Sequence, residues 1–183
     1  MKGYLLLVCF IVPAIGSCTE LVCTTTPVIY DPVDHDFGLV GEWESLESVD
    51  ADAIQIGRDN QLESTYAVEW AGQNPRSSMF VTDRVSGNEN AALIQIGPFD
   101  DGEKKNYYFA FAVRKDNRLH VWTINRKKLL EHLNDSEITY STDSGYLTTE
   151  IVADSETLLD VFKANASAIA NRRAVVYQKK IAR

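Results

Sequence analysis

Histidine is the side chain best suited to acid–base chemistry near neutral pH, and the sequence contains three of them, His35, His120 and His132. His120 alternates with Leu119 and Val121 in a strand-like run, which is typical of a hydrogen-bonded structural histidine. The chain also lacks a Gly-x-Ser-x-Gly elbow, a His-Glu-x-x-His zinc pair, a Cys-x-x-Cys pair and a phosphate-binding glycine loop. We therefore predict a protein that is not an enzyme and needs no cofactor.

Two acidic clusters could offer oxygen ligands to a metal ion. The first consists of Asp31, Asp34, His35 and Asp36 in a proline-containing stretch, and cation sites need a rigid geometry that such a stretch does not supply. The second, at residues 100–103, lacks the spaced ligands of a calcium loop and is typical of a hairpin turn. We predict no metal site at either cluster.

The first 17 residues have the layout of a secretory signal. Lys2 supplies a positive charge, the nine residues from Tyr4 to Val12 form an apolar run broken only by Cys9, and Pro13 ends it. Nine residues are too few to span a hydrocarbon core of about 30 Å, so we expect export and cleavage rather than a membrane helix.

Cys18 is the candidate for covalent lipid attachment. Ile15-Gly16-Ser17-Cys18 resembles the bacterial lipobox, and this resemblance implies cleavage before Cys18 and a thiol carrying diacylglyceryl and acyl chains such as palmitate. Thr19 and Glu20 imply, by the same resemblance, sorting to the outer membrane. The alternative is ordinary cleavage after Gly16, which would leave Cys18 and Cys23 able to form a disulfide in an oxidising compartment. If Cys18 is acylated, Cys23 is left without a cysteine partner in the mature chain.

Charge and size bear on the partners and on the domain count. Without residues 1–17, which contain Lys2, the chain has 17 basic against 26 acidic side chains, a net charge of −9. Such a surface repels nucleic acid and anionic headgroups, so the lipid anchor is the only membrane contact that we expect. We predict a flexible, proline-containing tether over residues 18–36 and a single domain over residues 37–183.

From residue 37 onwards, apolar side chains alternate with polar or small ones, which is the period of a strand. In the clearest run, Tyr107, Phe109, Phe111 and Val113 share one face, opposite a face of small residues. Soluble proteins avoid an exposed aromatic stripe, so we expect this face to point into a barrel. Runs of Asn, Asp and Gly mark the turns. The predicted strands are residues 38–47, 53–57, 63–71, 78–85, 91–97, 106–114, 118–125, 146–152 and 174–177.

These strands predict a mainly β fold, an antiparallel up-and-down barrel or strongly curled sheet of about eight or nine strands. Two short helices are predicted in the C-terminal half, packed against the barrel or plugging it. One covers residues 126–133 with Asn125 as its cap, and the other begins at Asp154 or Ser155 and carries its apolar stripe to Ile169.

Gly41-Glu42-Trp43 resembles the Gly-x-Trp signature of lipocalins, and the run of elements after Leu119 is similar to that of uncharacterised lipocalin-like bacterial lipoproteins. The resemblance implies an eight-stranded barrel with Trp43 at its closed end. It also implies a calycin-type interior that could bind a small apolar ligand.

Three classes of function remain open for a lipid-anchored envelope protein of this kind. We expect an interaction or structural module that docks on another envelope protein. The first alternative is a calycin-type barrel for a small apolar ligand, and an enzyme without a recognisable motif is a distant second. The barrel interior separates the first two classes, because an open cavity above about 300 Å³ favours ligand binding and a filled interior favours the module.

Overall fold

The computed structural model describes residues 21–29, 38–46, 53–59, 66–70, 77–81, 85, 91–101, 104–144 and 148–180. The predicted signal, Cys18 and the acidic cluster at residues 31–36 lie outside these residues. The strands are β1 (Leu21–Thr24), β2 (Gly41–Ser45), β3 (Ile54–Arg58), β4 (Tyr66–Trp70), β5 (Ser77–Val81), β6 (Ala91–Asp101), β7 (Lys104–Lys115), β8 (Arg118–Thr123), β9 (Tyr140–Ser144), β10 (Thr148–Ala153) and β11 (Val175–Lys179). The helices are α1 (Arg126–Asp135), α2 (Ser155–Ala164) and α3 (Ala166–Ile169).

Eight strands form a closed antiparallel barrel. Strands β2 to β8 follow one another in order, each antiparallel to the one before it, and β11 closes the ring between β8 and β2. The prediction of an up-and-down β-barrel is therefore confirmed, and so is the placing of short helices in the C-terminal half.

Three further strands extend the sheet from the side of the barrel. Strand β7 has 12 residues and β8 only six, so β8 covers only part of the β7 edge. Strand β1 pairs with the rest of that edge, where Cys23 lies opposite Tyr108. Strand β10 then pairs parallel to β1, and β9 pairs antiparallel to β10 as the last strand of the sheet.

Strand β1 differs from the predicted tether at residues 18–36. Leu21, Val22 and Cys23 are buried within β1, and Val28 and Ile29 are buried after it. The threonines and prolines around this short apolar segment suggested an open chain, but the uncovered edge of β7 and the apolar surface behind it provide a place to bury these side chains. The predicted tether therefore fails at residues 21–29.

The helices begin where predicted, but the second one ends early. Asn125 accepts a hydrogen bond from the Lys128 N–H at 3.1 Å, and Asp154 accepts one from the Thr157 N–H at 2.9 Å. The second helix was expected to reach Ile169, yet α2 stops at Ala164. The side chain of Asn165 donates to the Val161 carbonyl at 3.1 Å and competes there with the helical backbone, so α3 is a separate turn.

The two faces of β7 pack into two different cores. Ala110 and Ala112 point into the barrel, whereas Phe109 and Phe111 point outward into a second core beneath the helices. The Phe109 ring lies 5.1 Å from the Phe162 ring of α2, centroid to centroid. The prediction that the aromatic face points into the barrel is therefore wrong. That face is buried as expected, but the helices bury it rather than the barrel.

Candidate functional site: the barrel interior

Trp43 and Leu39 belong to the core of the barrel. The Trp43 side chain is fully buried, and its Nε1 donates to the Leu39 carbonyl at 2.7 Å. Lys179 lies opposite Trp43 in the β2–β11 register, and its Nζ is 5.5 Å from the centroid of a Trp43 ring. This cation therefore stacks on the aromatic face, an arrangement that stabilises a buried tryptophan beyond its apolar contacts.

Gly41 makes this arrangement sterically feasible. Its φ of +144° lies where residues with a side chain are strained, and a Cβ built there would lie 2.5 Å from Cε of Lys179. The glycine of the Gly-x-Trp motif thus leaves room for Lys179 to reach the ring of Trp43. At this site the Gly-x-Trp motif has a structural role, since it allows Lys179 to pack on Trp43.

The barrel interior holds an apolar cavity of about 70 Å³. Small side chains leave this space, namely Ala110 and Ala112 of β7. Typical ligand pockets measure roughly 300–1,000 Å³, so the cavity is several times too small for a ligand of ordinary size. Among the side chains that line it are Leu39, Ile54, Ile56, Val68, Met79 and Ile94.

Few polar groups reach the cavity. Thr123 lines it, but its Oγ1 already accepts a hydrogen bond from Nδ2 of Asn171 at 2.7 Å. Tyr108 also lines it, and its ring lies 5.4 Å from that of Phe99. Without a carboxylate, histidine or cysteine among its lining residues, the cavity can hold a small apolar group but offers no acid, base or nucleophile.

The two histidines that the structure describes lie away from the cavity. His120 is on the outer face of β8, where its ring stacks on Trp122 with centroids 5.9 Å apart. His132 is in the last turn of α1. Across the described ranges, no three His, Cys, Asp or Glu side chains are grouped so that they could hold a metal ion.

Asp100 and Asp101 of the second acidic cluster lie at the end of β6, where it pairs with the start of β7. Asp100 pairs in register with Lys105, and Asp101 with Lys104, on either side of the turn. This pairing agrees with the predicted hairpin, and residues 102 and 103 lie outside the described part.

Gln95 is a buried polar residue that the sequence analysis missed. Its Oε1 accepts hydrogen bonds from the backbone N–H groups of Val28 at 2.6 Å and Ile29 at 3.0 Å. It thus holds the segment after β1 against the second core. The sequence did contain a signal for this residue, because Gln95 is the single polar residue in the run from Ala91 to Ile96.

The sequence alone assigns no role to the Cys23 thiol. In the folded domain its side chain is only 3% exposed, and its Sγ lies 4.0 Å from Oδ1 of Asn106. A thiol buried in this way is inaccessible to another protein while the domain is folded, so cross-linking through Cys23 requires local opening.

Among the described residues, Lys180 and Asp154 have pKa values shifted by their hydrogen bonds. Glu42 and Glu44 both accept from the Lys180 ammonium, Glu44 at 2.6 Å, and these bonds raise the pKa of Lys180. The Thr157 N–H lowers the pKa of Asp154 by bonding its carboxylate at the start of α2. Both groups lie on the surface, and their hydrogen bonds stabilise the local structure.

Comparison of the chain with protein-family models, with curated proteins and with solved structures finds no match. The resemblance to lipocalins and to the lipobox therefore rests on the residues quoted for it and stays a prediction. In the part of the chain that the structure describes, no helix is long and apolar enough to cross a membrane.

Proposed function

We propose that this protein is a lipid-anchored envelope protein whose folded domain is a non-catalytic interaction or structural module. The observation that supports this proposal is the small size of the cavity inside the barrel. A cavity of about 70 Å³ is below the size of ligand sites, so the barrel interior serves mainly as a packed core. The outer surface is then the part of the molecule left to meet a partner.

The sheet extension supports a role for the outer surface. Strand β9 is the last strand of the sheet within the described ranges, and Ser141, Thr142, Asp143 and Ser144 are exposed along it. An edge strand of this kind can pair with an extended segment of another protein, through backbone hydrogen bonds.

A calycin-type barrel for a small apolar ligand is the second candidate function. It is favoured by the inward-facing alanines of β6 and β7, which leave an apolar space where larger residues would fill it. With about 70 Å³ available, the ligand would be a small apolar group rather than a molecule of typical ligand size.

Titration with an apolar fluorescent probe tests the proposal. The protein is the chain from residue 18 with Cys18→Ser, so that neither signal nor lipid contributes to probe binding. We expect no saturable fluorescence increase in this protein.

Two leucine variants act as matched controls. Ala110→Leu fills the cavity, whereas Ala164→Leu adds the same atoms at an exposed position of α2. Saturable binding that Ala110→Leu abolishes and Ala164→Leu preserves would contradict the module and establish the ligand-binding barrel.

A further inference from the structure

Two distant parts of the sequence that carry five basic residues meet beside the start of α1. Asn125 and Asn171 join the two segments, since Nδ2 of Asn125 donates to Oδ1 of Asn171 at 3.0 Å and the Asn125 N–H donates to the Ile169 carbonyl at 2.7 Å. We call these five side chains the basic patch: Arg126, Lys127, Lys128, Arg172 and Arg173.

The stability of α1 does not explain this arrangement. A helix N-terminus carries a partial positive charge and is stabilised by acidic residues, yet the first turn of α1 has no acidic residue and begins with three basic ones. Lys127 has Glu131 one turn away at 3.9 Å, but both side chains are largely exposed and such a pair contributes little. Lys127 and Arg172 are exposed, so their charges are presented to the solution beside the start of α1.

The basic patch also lies close to the N-terminal end of β1. Arg126 Nη2 donates to Oγ of Ser144 at 3.5 Å, and Ser144 lies opposite Thr149, which lies opposite Val22 of β1. Adjacent strands are about 4.8 Å apart, so roughly 10 Å separates β9 from β1. Cys18 precedes Leu21 by three residues, a reach of at most about 11 Å.

We propose that the basic patch docks on the anionic headgroups of the membrane to which Cys18 anchors the protein, and so orients the domain on the bilayer. This inference rests on the proposed function, and it names the membrane surface as the partner of the basic patch. Since Leu21 to Thr24 are buried, only Thr19 and Glu20 separate Cys18 from the folded domain. The net charge of −9 had suggested repulsion from anionic lipid. Screening confines electrostatics to about 8–10 Å, so the local patch decides the interaction.

Vesicle flotation of the full chain tests this inference. Phosphatidylcholine vesicles give the baseline binding from the apolar signal, and vesicles that also contain phosphatidylglycerol measure the response to anionic headgroups. We expect the full chain to bind the anionic vesicles roughly tenfold more tightly than the neutral ones, and added salt to reduce this preference.

Charge-reversal variants locate the effect. Lys127→Glu with Arg172→Glu should abolish the anionic preference, and Lys127→Gln with Arg172→Gln should reduce it. The matched control, Lys115→Glu with Arg118→Glu, changes the net charge equally at the exposed β7–β8 turn and should keep the preference. Circular dichroism verifies that each variant is folded.

Three results would overturn the inference: no anionic preference in the full chain, an equal loss in the control variant, or displacement by inorganic phosphate beyond that by chloride at equal ionic strength. The last would indicate a site for free phosphate. Failure of lipid attachment at Cys18 is measured separately, by fatty-acid labelling, and leaves this vesicle result unchanged.

Discussion

At the residue scale, Trp43 is the largest fully buried side chain among the described residues. It is fully buried, its Nε1 is hydrogen-bonded to Leu39 and Lys179 stacks on its ring. We expect Trp43→Ala to lower the free energy of unfolding by roughly 3–5 kcal/mol, as for other large buried aromatics. Denaturant unfolding monitored by far-UV circular dichroism measures this change.

Trp122 provides the control for this prediction. It lies half-buried on the outer face of β8, against His120, so Trp122→Ala should cost clearly less. A loss below about 1 kcal/mol for Trp43→Ala would show that the Gly-x-Trp motif has no structural role here.

At the scale of single elements, β1 decides where the domain begins. The chain from residue 18 contains β1, whereas a chain beginning at Phe37 lacks the apolar side chains that residues 21–29 bury. Burying one apolar side chain fully stabilises a fold by about 1.5–3 kcal/mol, and such figures are upper estimates. Because several side chains are lost together, the shorter chain should be less stable by at least about 3 kcal/mol even after a large discount. Equal denaturant midpoints for the two chains would contradict this prediction and favour a flexible tether over residues 18–36.

Two valines sharpen the same comparison within the longer chain. Val22 is 2% exposed and Val40 is 40% exposed. Val22→Asp places a carboxylate in the second core and should cost several kcal/mol, about 3 or more, whereas Val40→Asp should cost under about 1 kcal/mol.

The cap of α2 predicts a dependence of stability on pH. Asp154 has a pKa below its ordinary value of 3.8 because the Thr157 N–H bonds its ionised form. Its contribution is therefore fully present above the unfolded pKa and is lost as the pH falls through the folded one. Asp154→Asn should lower the melting temperature at neutral pH and have a smaller effect below about pH 3.

Asp160→Asn removes the same charge from the middle of α2 and serves as control. Asp160 is exposed and makes no cap, so its substitution should leave the pH profile close to that of the unchanged protein. A similar profile for Asp154→Asn would mean that the cap does not depend on its charge.

The elements that were predicted from sequence are those whose patterns are local. Alternation marked β4, β6 and β7, and side-chain caps marked the starts of α1 and α2. Strand β9 was missed because Tyr140-Ser141-Thr142-Asp143-Ser144 is almost wholly polar and pairs only at the edge of the sheet. Strand β1 was missed because its burial depends on the uncovered edge of β7.

At the scale of the whole molecule, alternation shows which residues share a face, but not which face is inside. Both faces of β7 are apolar, and the choice between them depends on distant partners. Ala92 and Ile94 of β6 share the barrel interior with the alanines of β7, and the apolar stripes of α1 and α2 cover the aromatic face. The basic patch also depends on contact between residues 46 positions apart in the sequence, so no local pattern could reveal it.

Anchoring through Cys18 is the step on which the proposed function and the orientation at the membrane both rest. Cells expressing the chain are labelled with a fatty-acid analogue, and the purified protein is assayed for the label. We expect label in the wild type and in Cys23→Ser, since the Cys23 thiol is buried in the fold. Cys9→Ser should also keep the label, because Cys9 belongs to the predicted signal. Cys18→Ser should lose the label and keep its signal uncut, whereas equal labelling of Cys18→Ser would contradict lipid anchoring at this residue.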